Sequence, residues 1–171
     1  MTPTVVAIHL APEAAAPMVS VPAAQALPGV GLAGDRYALG GGTWADWPDG
    51  EKQLTLVDAD AVAEVAAELG VPFTPADTRR NVVTRGIDLP GLVGRWFVLG
   101  DVLAFGMKRC PPCRHLATLT GLPLVRPMAH RGGINVRVYS AGTIAVGSAV
   151  RVVSDAEAAS LGAPADRPVP V

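Results

Sequence analysis

Short apolar runs, each cut off by glycine or proline, recur along the whole chain. Nineteen glycines and sixteen prolines among 171 residues supply turns at this density and leave little room for long helices. Strands are expected over Thr4 to Leu10, Met18 to Ala26 (hairpinned to the first), Gln53 to Val57, and around Val82-Val83. Further strands are Gly94 to Leu99 and Asp101 to Gly106 about a Gly-Asp turn, Ile134 to Tyr139, Thr143 to Val146, and Ala149 to Val153. One helix is well specified: Asp58 caps it, Val62, Val65, Ala66 and Leu69 share a face, and Gly70 stops it. Many short strands with one good helix predict a mainly β fold with helices (α+β), a β-barrel with helical insertions. Residues 1–153 read as a single domain, and 154–171 as an Ala/Pro-rich C-terminal tail without fixed structure.

Aromatic residues make up only 5% of the chain, so Ala, Val and Leu must fill the interior. No apolar run approaches the roughly 20 residues of a membrane span. The N-terminal stretch has no Lys or Arg before Arg36, so a secretory leader is not expected and a cytoplasmic, reducing location is. Charge is lopsided: ten Lys/Arg but only Asp88 and Asp101 fall between Arg79 and Tyr139, in a chain of net charge −1. Such a basic segment predicts an anionic ligand. Its cations are dispersed among turns, with few aromatics to stack bases, which disfavours nucleic acid and favours a phosphorylated small molecule.

Both cysteines lie in one turn, Lys108-Arg-Cys-Pro-Pro-Cys-Arg-His115. Pro111 and Pro112 stiffen it. Leu116, Leu119 and Gly121 outline a short helix that places Cys113 at or near its first residue. The positive end of that helix, with Arg109 and Arg114 nearby, favours an anion there, so Cys113 is the candidate nucleophile or metal ligand. Cys110 ends a strand and reads equally well as a buried thiol.

Other candidates flank this turn in sequence. Glycines at 29, 31 and 34 mimic a dinucleotide fingerprint, but no amphipathic helix follows them. The stretch reads instead as a glycine-rich loop where the backbone turns sharply or meets a ligand, with Asp35 and Arg36 either a surface pair or part of the site. Arg80 and Asn81 open a strand, and the two arginines, Arg79 and Arg80, beside that asparagine suit oxyanion or amide recognition. His130-Arg-Gly-Gly133 is another glycine turn with cationic neighbours. His9, in an apolar strand, reads as a packed or edge histidine.

With these residues assembled, the chain resembles a MOSC domain, named after the C-terminal part of molybdenum-cofactor sulfurase, and in particular the small standalone bacterial type. The resemblance is carried by Gly31-Leu-Ala-Gly-Asp-Arg-Tyr37, Gln53-Leu-Thr-Leu56, Arg79-Arg-Asn-Val-Val-Thr-Arg-Gly86 and Leu92-Val-Gly-Arg-Trp-Phe-Val-Leu99. Cys110-Pro-Pro-Cys113, His130-Arg-Gly-Gly133 and Gly142-Thr-Ile-Ala-Val-Gly147 complete it. It implies a β-barrel and a molybdenum–pterin cofactor, or the handling of sulfur destined for it. Cys113 then ligates molybdenum or carries a persulfide. Arg80, Asn81, Arg109, Arg114, His115, Arg131, Gly132, Asp35 and Arg36 are the positions expected around the cofactor. The implied reaction is two-electron reduction of an N-hydroxylated compound, with a redox or sulfur-donor protein as partner. Ser148 departs from the family's usual aspartate.

Three other readings stand beside it. Cys-Pro-Pro-Cys has the spacing of a dithiol–disulfide switch, though a barrel hairpin precedes it instead of a βαβ unit. Cys110, Cys113, His115 and His130 suffice in number for zinc. A carrier of cofactor or persulfide, without catalysis of its own, differs in class from an enzyme but not in sequence.

Overall fold

The computed structural model describes residues 2–46 and 53–171. Eleven strands and three helices are found among them. The strands are β1 (Thr4–Leu10), β2 (Val19–Val21), β3 (Ala23–Leu27), β4 (Gly31–Leu32), β5 (Leu54–Asp58), β6 (Val82–Arg85), β7 (Trp96–Leu99), β8 (Val102–Arg109), β9 (Ile134–Val138), β10 (Gly142–Ala145) and β11 (Val150–Val152). The helices are α1 (Ala59–Leu69), α2 (Arg114–Thr120) and α3 (Asp155–Ser160).

Eight strands form one sheet in the order β11-β7-β8-β9-β5-β6-β1-β2, and β10-β3-β4 form a second. The large sheet curls until its ends meet. Thr4 bridges Ala149, Val150 N–H donates to the Pro3 carbonyl at 2.9 Å, and Val5 N–H donates to the Ser148 carbonyl at 2.9 Å. This is the barrel the sequence predicts. Among the named strands every pairing is antiparallel except β5 with β6, whose parallel crossover is α1. Asp58 caps α1 by accepting from Ala61 N at 2.8 Å, and Gly70 ends it at φ 64°, as expected.

The interior is aliphatic, as the composition requires. Leu54, Leu56, Val82, Ala104, Ile134 and Val136 line it, and Phe97 is the one aromatic of that cluster. A second layer lies outside the sheet under α1 and α2, built from Val57, Val62, Val65, Val83, Leu116 and Met128. A third, Trp96, Val98, Leu103, Phe105 and Met107, lies outside β7 and β8.

Two expectations need correction. The run Met18 to Ala26 is two strands: Pro22 has no N–H to continue a ladder, and the chain leaves β1 there, so that β3 joins β10 in the second sheet. The tail is also not structureless. Ser154 caps α3, Ala158 is fully buried, Arg167 pairs with Asp155, and Val171 N–H reaches the Met107 carbonyl at 3.2 Å. The reason is the third layer. β7 and β8 are apolar on both faces, and without α3 their outer side chains would face water. At Ser148 the hydroxyl accepts from Ala145 N at 3.1 Å, so this departure from the family pattern serves the hairpin turn.

Candidate functional site

β8 runs directly into the cysteine turn, and α2 starts immediately after it. Cys113 is the N-cap of α2, with extended backbone (φ −120°, ψ 165°) and an exposed side chain. Cys110 is half-buried, and the two thiols are unbridged. The turn is held from behind. Arg80 Nε donates to the Gly132 carbonyl at 2.8 Å, and its Nη2 donates to the carbonyls of Cys110 at 2.9 Å and Pro111 at 3.4 Å. Gly132 lies against the same turn, where a Cβ would overlap the Cys110 carbonyl.

This turn forms one wall of a cavity of about 510 Å³. Cys110, Cys113, His115 and Arg109 line it from the cysteine side, and Arg79, Arg80 and Asn81 from the approach to β6. Its floor is a row of cross-strand neighbours. Lys108 lies opposite Asn135, and Asn135 opposite Thr55, all three lining the cavity. Thr55 Oγ1 donates to Asn81 Oδ1 at 2.9 Å and accepts from Asn81 N at 3.0 Å, and Asn81 Nδ2 donates to the His9 carbonyl at 3.3 Å. The opposite wall comes from the glycine-rich stretch. The Trp44 ring lies edge-on to His115 at 6.4 Å, and Thr43 Oγ1 is 3.5 Å from His115 Nε2.

Among the described residues five cations, Arg36, Arg79, Arg80, Lys108 and Arg109, line the cavity and no carboxylate does. Arg36 is only 5% exposed. Its guanidinium donates to Asp35 Oδ1 at 3.2 Å and to the Arg79 carbonyl at 3.1 Å, and stacks 4.9 Å from the Tyr37 ring centre. Burial pushes the Tyr37 phenol up from its usual range. Burial, reinforced by Arg36, pushes the Arg79 guanidinium down. Arg79 also adopts a left-handed backbone (φ 59°) and donates from Nη1 to the Ala16 carbonyl at 2.7 Å.

Of the residues singled out in the sequence, Cys113, Arg36, Arg80, Asn81, Arg109 and His115 meet in this cavity. Four do not line it. Asp35 is buried behind Arg36, its carboxylate taken up by Ala11 N, Tyr37 N and Arg36. Arg114 is exposed on α2 and lines neither cavity. Arg131 is drawn outward by Glu64 at 3.5 Å and Glu68 at 2.9 Å. Arg131, Gly132 and His130 line a separate cavity of about 220 Å³ on the other side of the cysteine turn. His130 is thereby parted from His115, and no group of three or more His, Cys, Asp or Glu able to hold a metal ion occurs among the described residues, which removes the four-ligand zinc reading. Tyr37, Thr55 and Asn135 escaped sequence reasoning as site residues, whereas Arg79, the second arginine beside Asn81, and Lys108, in the cationic surround of the cysteine turn, line the cavity as well. For Asn135 a signal existed: it holds a polar position in an alternating strand, as Arg137 does.

Among the described residues, no helix is long and apolar enough to cross a membrane. Comparison with known proteins completes the description. The sequence profile of the MOSC domain matches residues 8–151. The fold is similar to that of the YuaD protein from Bacillus subtilis, at TM-score 0.73 and 20% identity over 89% of this chain and 96% of that one. It is also similar to YiiM from Geobacillus stearothermophilus, at TM-score 0.67 and 19% identity over 89% and 75% of the two chains. For YiiM from Escherichia coli the values are 0.68 and 18% over 90% and 70%. Among curated proteins no significant sequence relative was found.

Proposed function

This chain belongs to the MOSC domain family, and from that premise we propose that its large cavity holds a molybdenum–pterin cofactor and that the protein reduces N-hydroxylated compounds. The observation that carries the reading is Cys113: an exposed sulfur bordering a cavity lined by five cations. The residues present fit such a group. A soft thiolate suits molybdenum, one protein sulfur is enough for a metal already held by its pterin, and the cations suit an anionic phosphate. The cavity volume of about 510 Å³ is that of a small-molecule site.

In this reading Cys113 Sγ holds the metal, Arg109, Lys108 and Arg79 neutralise the phosphate, and Asn81 and Thr55 fix the cavity floor. Arg80 acts differently. Its donors are spent on the backbone of the cysteine turn, so it sets the position of Cys113. When bound, the cofactor supplies the two electrons of the reduction. R–NHOH becomes R–NH2 and water, and two protons and two electrons enter from an external reductant protein. His115 lies at the cavity wall beside Thr43, where its ring can carry one of those protons to the leaving hydroxyl. The setting is the cytoplasm, where thiols stay reduced.

A second reading is favoured by the same exposure of Cys113. A thiol open to solvent can accept the outer sulfur of a donor protein's persulfide, releasing the donor as its thiol, and pass that sulfur on in the same way, which makes the protein a carrier. The test is to load the protein with cofactor and supply a hydroxylaminopurine or an amidoxime with an artificial reductant. The enzyme reading expects turnover that Cys113→Ser abolishes. A loaded protein that never turns over supports the carrier and contradicts the enzyme.

A further inference from the structure

Two residues that line the large cavity each bury a polar atom without a partner, and the two atoms are of opposite sense. Asn135 is 3% exposed, and its Oδ1 accepts from nothing. Arg79 Nη2 is shut off from solvent and donates to nothing. Buried polar groups are nearly always satisfied, because an unmade hydrogen bond costs more than a made one returns. The neighbours do not relieve Asn135. Thr55, opposite it on β5, spends its hydroxyl on Asn81. Lys108, opposite it on β8, does not donate to it. Nor can the atom retreat, because Asn135 lies mid-sheet between two paired strands.

We propose that Asn135 and Arg79 are the residues that read the identity of the occupant. Asn135 Oδ1 accepts an N–H or O–H from it, and Arg79 Nη2 donates to one of its oxygens or ring nitrogens. The cations attract any anion, but an oxyanion such as sulfate offers acceptors only and leaves Asn135 unpaired. The ligand class that satisfies both atoms is a nitrogen heterocycle with an amide-like edge, donor and acceptor together, joined to an anionic tail. This rests on the reading of the cavity as a pterin-cofactor site and names the residues that discriminate its organic part.

The experiment uses the full chain and the fluorescent probe pterin-6-carboxylate, with sulfate as the donor-free anion. Asn135→Leu keeps the side-chain size and removes the orphaned acceptor. Its melting temperature without ligand is expected to rise by about 2–4 °C, since an unpaired buried group is gone. Its affinity for pterin-6-carboxylate is expected to fall at least about tenfold, the worth of one lost hydrogen bond to a ligand, while stabilisation by sulfate is unchanged. Asn135→Asp retains an acceptor at the same place and binds the probe within about threefold of wild type. A lower melting temperature in Asn135→Leu, an equal loss of sulfate and probe, or a wild type that does not bind the probe overturns the inference. Metal content is not read here. Wild type without molybdenum counts against the proposed function alone, and loss of probe recognition with molybdenum retained counts against this inference alone.

Discussion

The two faces of β9 do opposite work. Toward the barrel interior, Ile134, Val136 and Val138 pack into an aliphatic cluster whose members are each at most 7% exposed. Between them, Asn135 turns to the cavity with an unpaired oxygen. One face spends its side chains on burial, at about 25 cal/mol per Å² of apolar surface. The other carries an unpaired polar atom and a concentration of positive charge, both of which oppose folding. A strand that carries both has its stability supplied from inside and its chemistry displayed outside. Substitutions on the two sides are therefore expected to separate stability from ligand retention.

The sharpest contrast comes from the interior. Phe97 is fully buried in the inner cluster, and Phe97→Ala is expected to cost about 3–5 kcal/mol in urea unfolding. A loss within experimental error would mean that the barrel interior does not carry the fold. Next is Arg80, which belongs to both sides of the comparison because its bonds hold the cysteine turn. Arg80→Met leaves those carbonyls without their charged donor and is expected to cost about 2 kcal/mol and to reduce cofactor retention as well. Loss of retention without loss of stability would make Arg80 a plain ligand contact instead of a brace.

A pH effect follows from His9, whose side chain is buried and whose Nδ1 lacks a partner. Burial holds its pKa below the ordinary 6.5. The unfolded chain therefore takes up the proton before the folded one does. Stability is greatest above about pH 7 and declines as pH falls through 6.5 toward the folded value. His9→Leu is expected to flatten the melting-temperature profile across that window, and an unchanged slope would assign the dependence to other groups. The smallest effect on stability belongs to Arg109, which is exposed and whose side chain makes no hydrogen bond or ion pair among the described residues. Arg109→Met is expected to change stability by less than about 0.5 kcal/mol. Anion binding is expected to weaken about three- to tenfold, less so at high salt.

What could be read from the sequence alone follows the same division. Strands, turns and α1 are local, set by alternation, glycine stops and the Asp58 cap, and apart from the split of Met18 to Ala26 they lie where the residues put them. The meeting of Cys113, Arg80, Asn81 and Arg109 was legible through the family resemblance, because motif order survives where spacing does not. The misplaced residues are those decided by distant partners. Arg131 was expected near the ligand but is captured by Glu64 and Glu68 from α1. Asp35 was expected at the site but is taken up behind it by Ala11 and Tyr37. The tail looked structureless by composition, yet Trp96, Val98 and Phe105 on the outer face of β7 and β8 required a cover. At Asn135 the alternation of β9 marks a polar position but not what that position faces. Only pairing with Thr55 and Lys108 shows that it faces the cavity.

The most direct test is elemental analysis of wild type and Cys113→Ser, each purified from a host that makes the molybdenum cofactor, with melting curves to establish that both are folded. The account predicts near-stoichiometric molybdenum in the wild type and background levels in a Cys113→Ser protein that melts at the same temperature. Molybdenum retained in full by Cys113→Ser would contradict it.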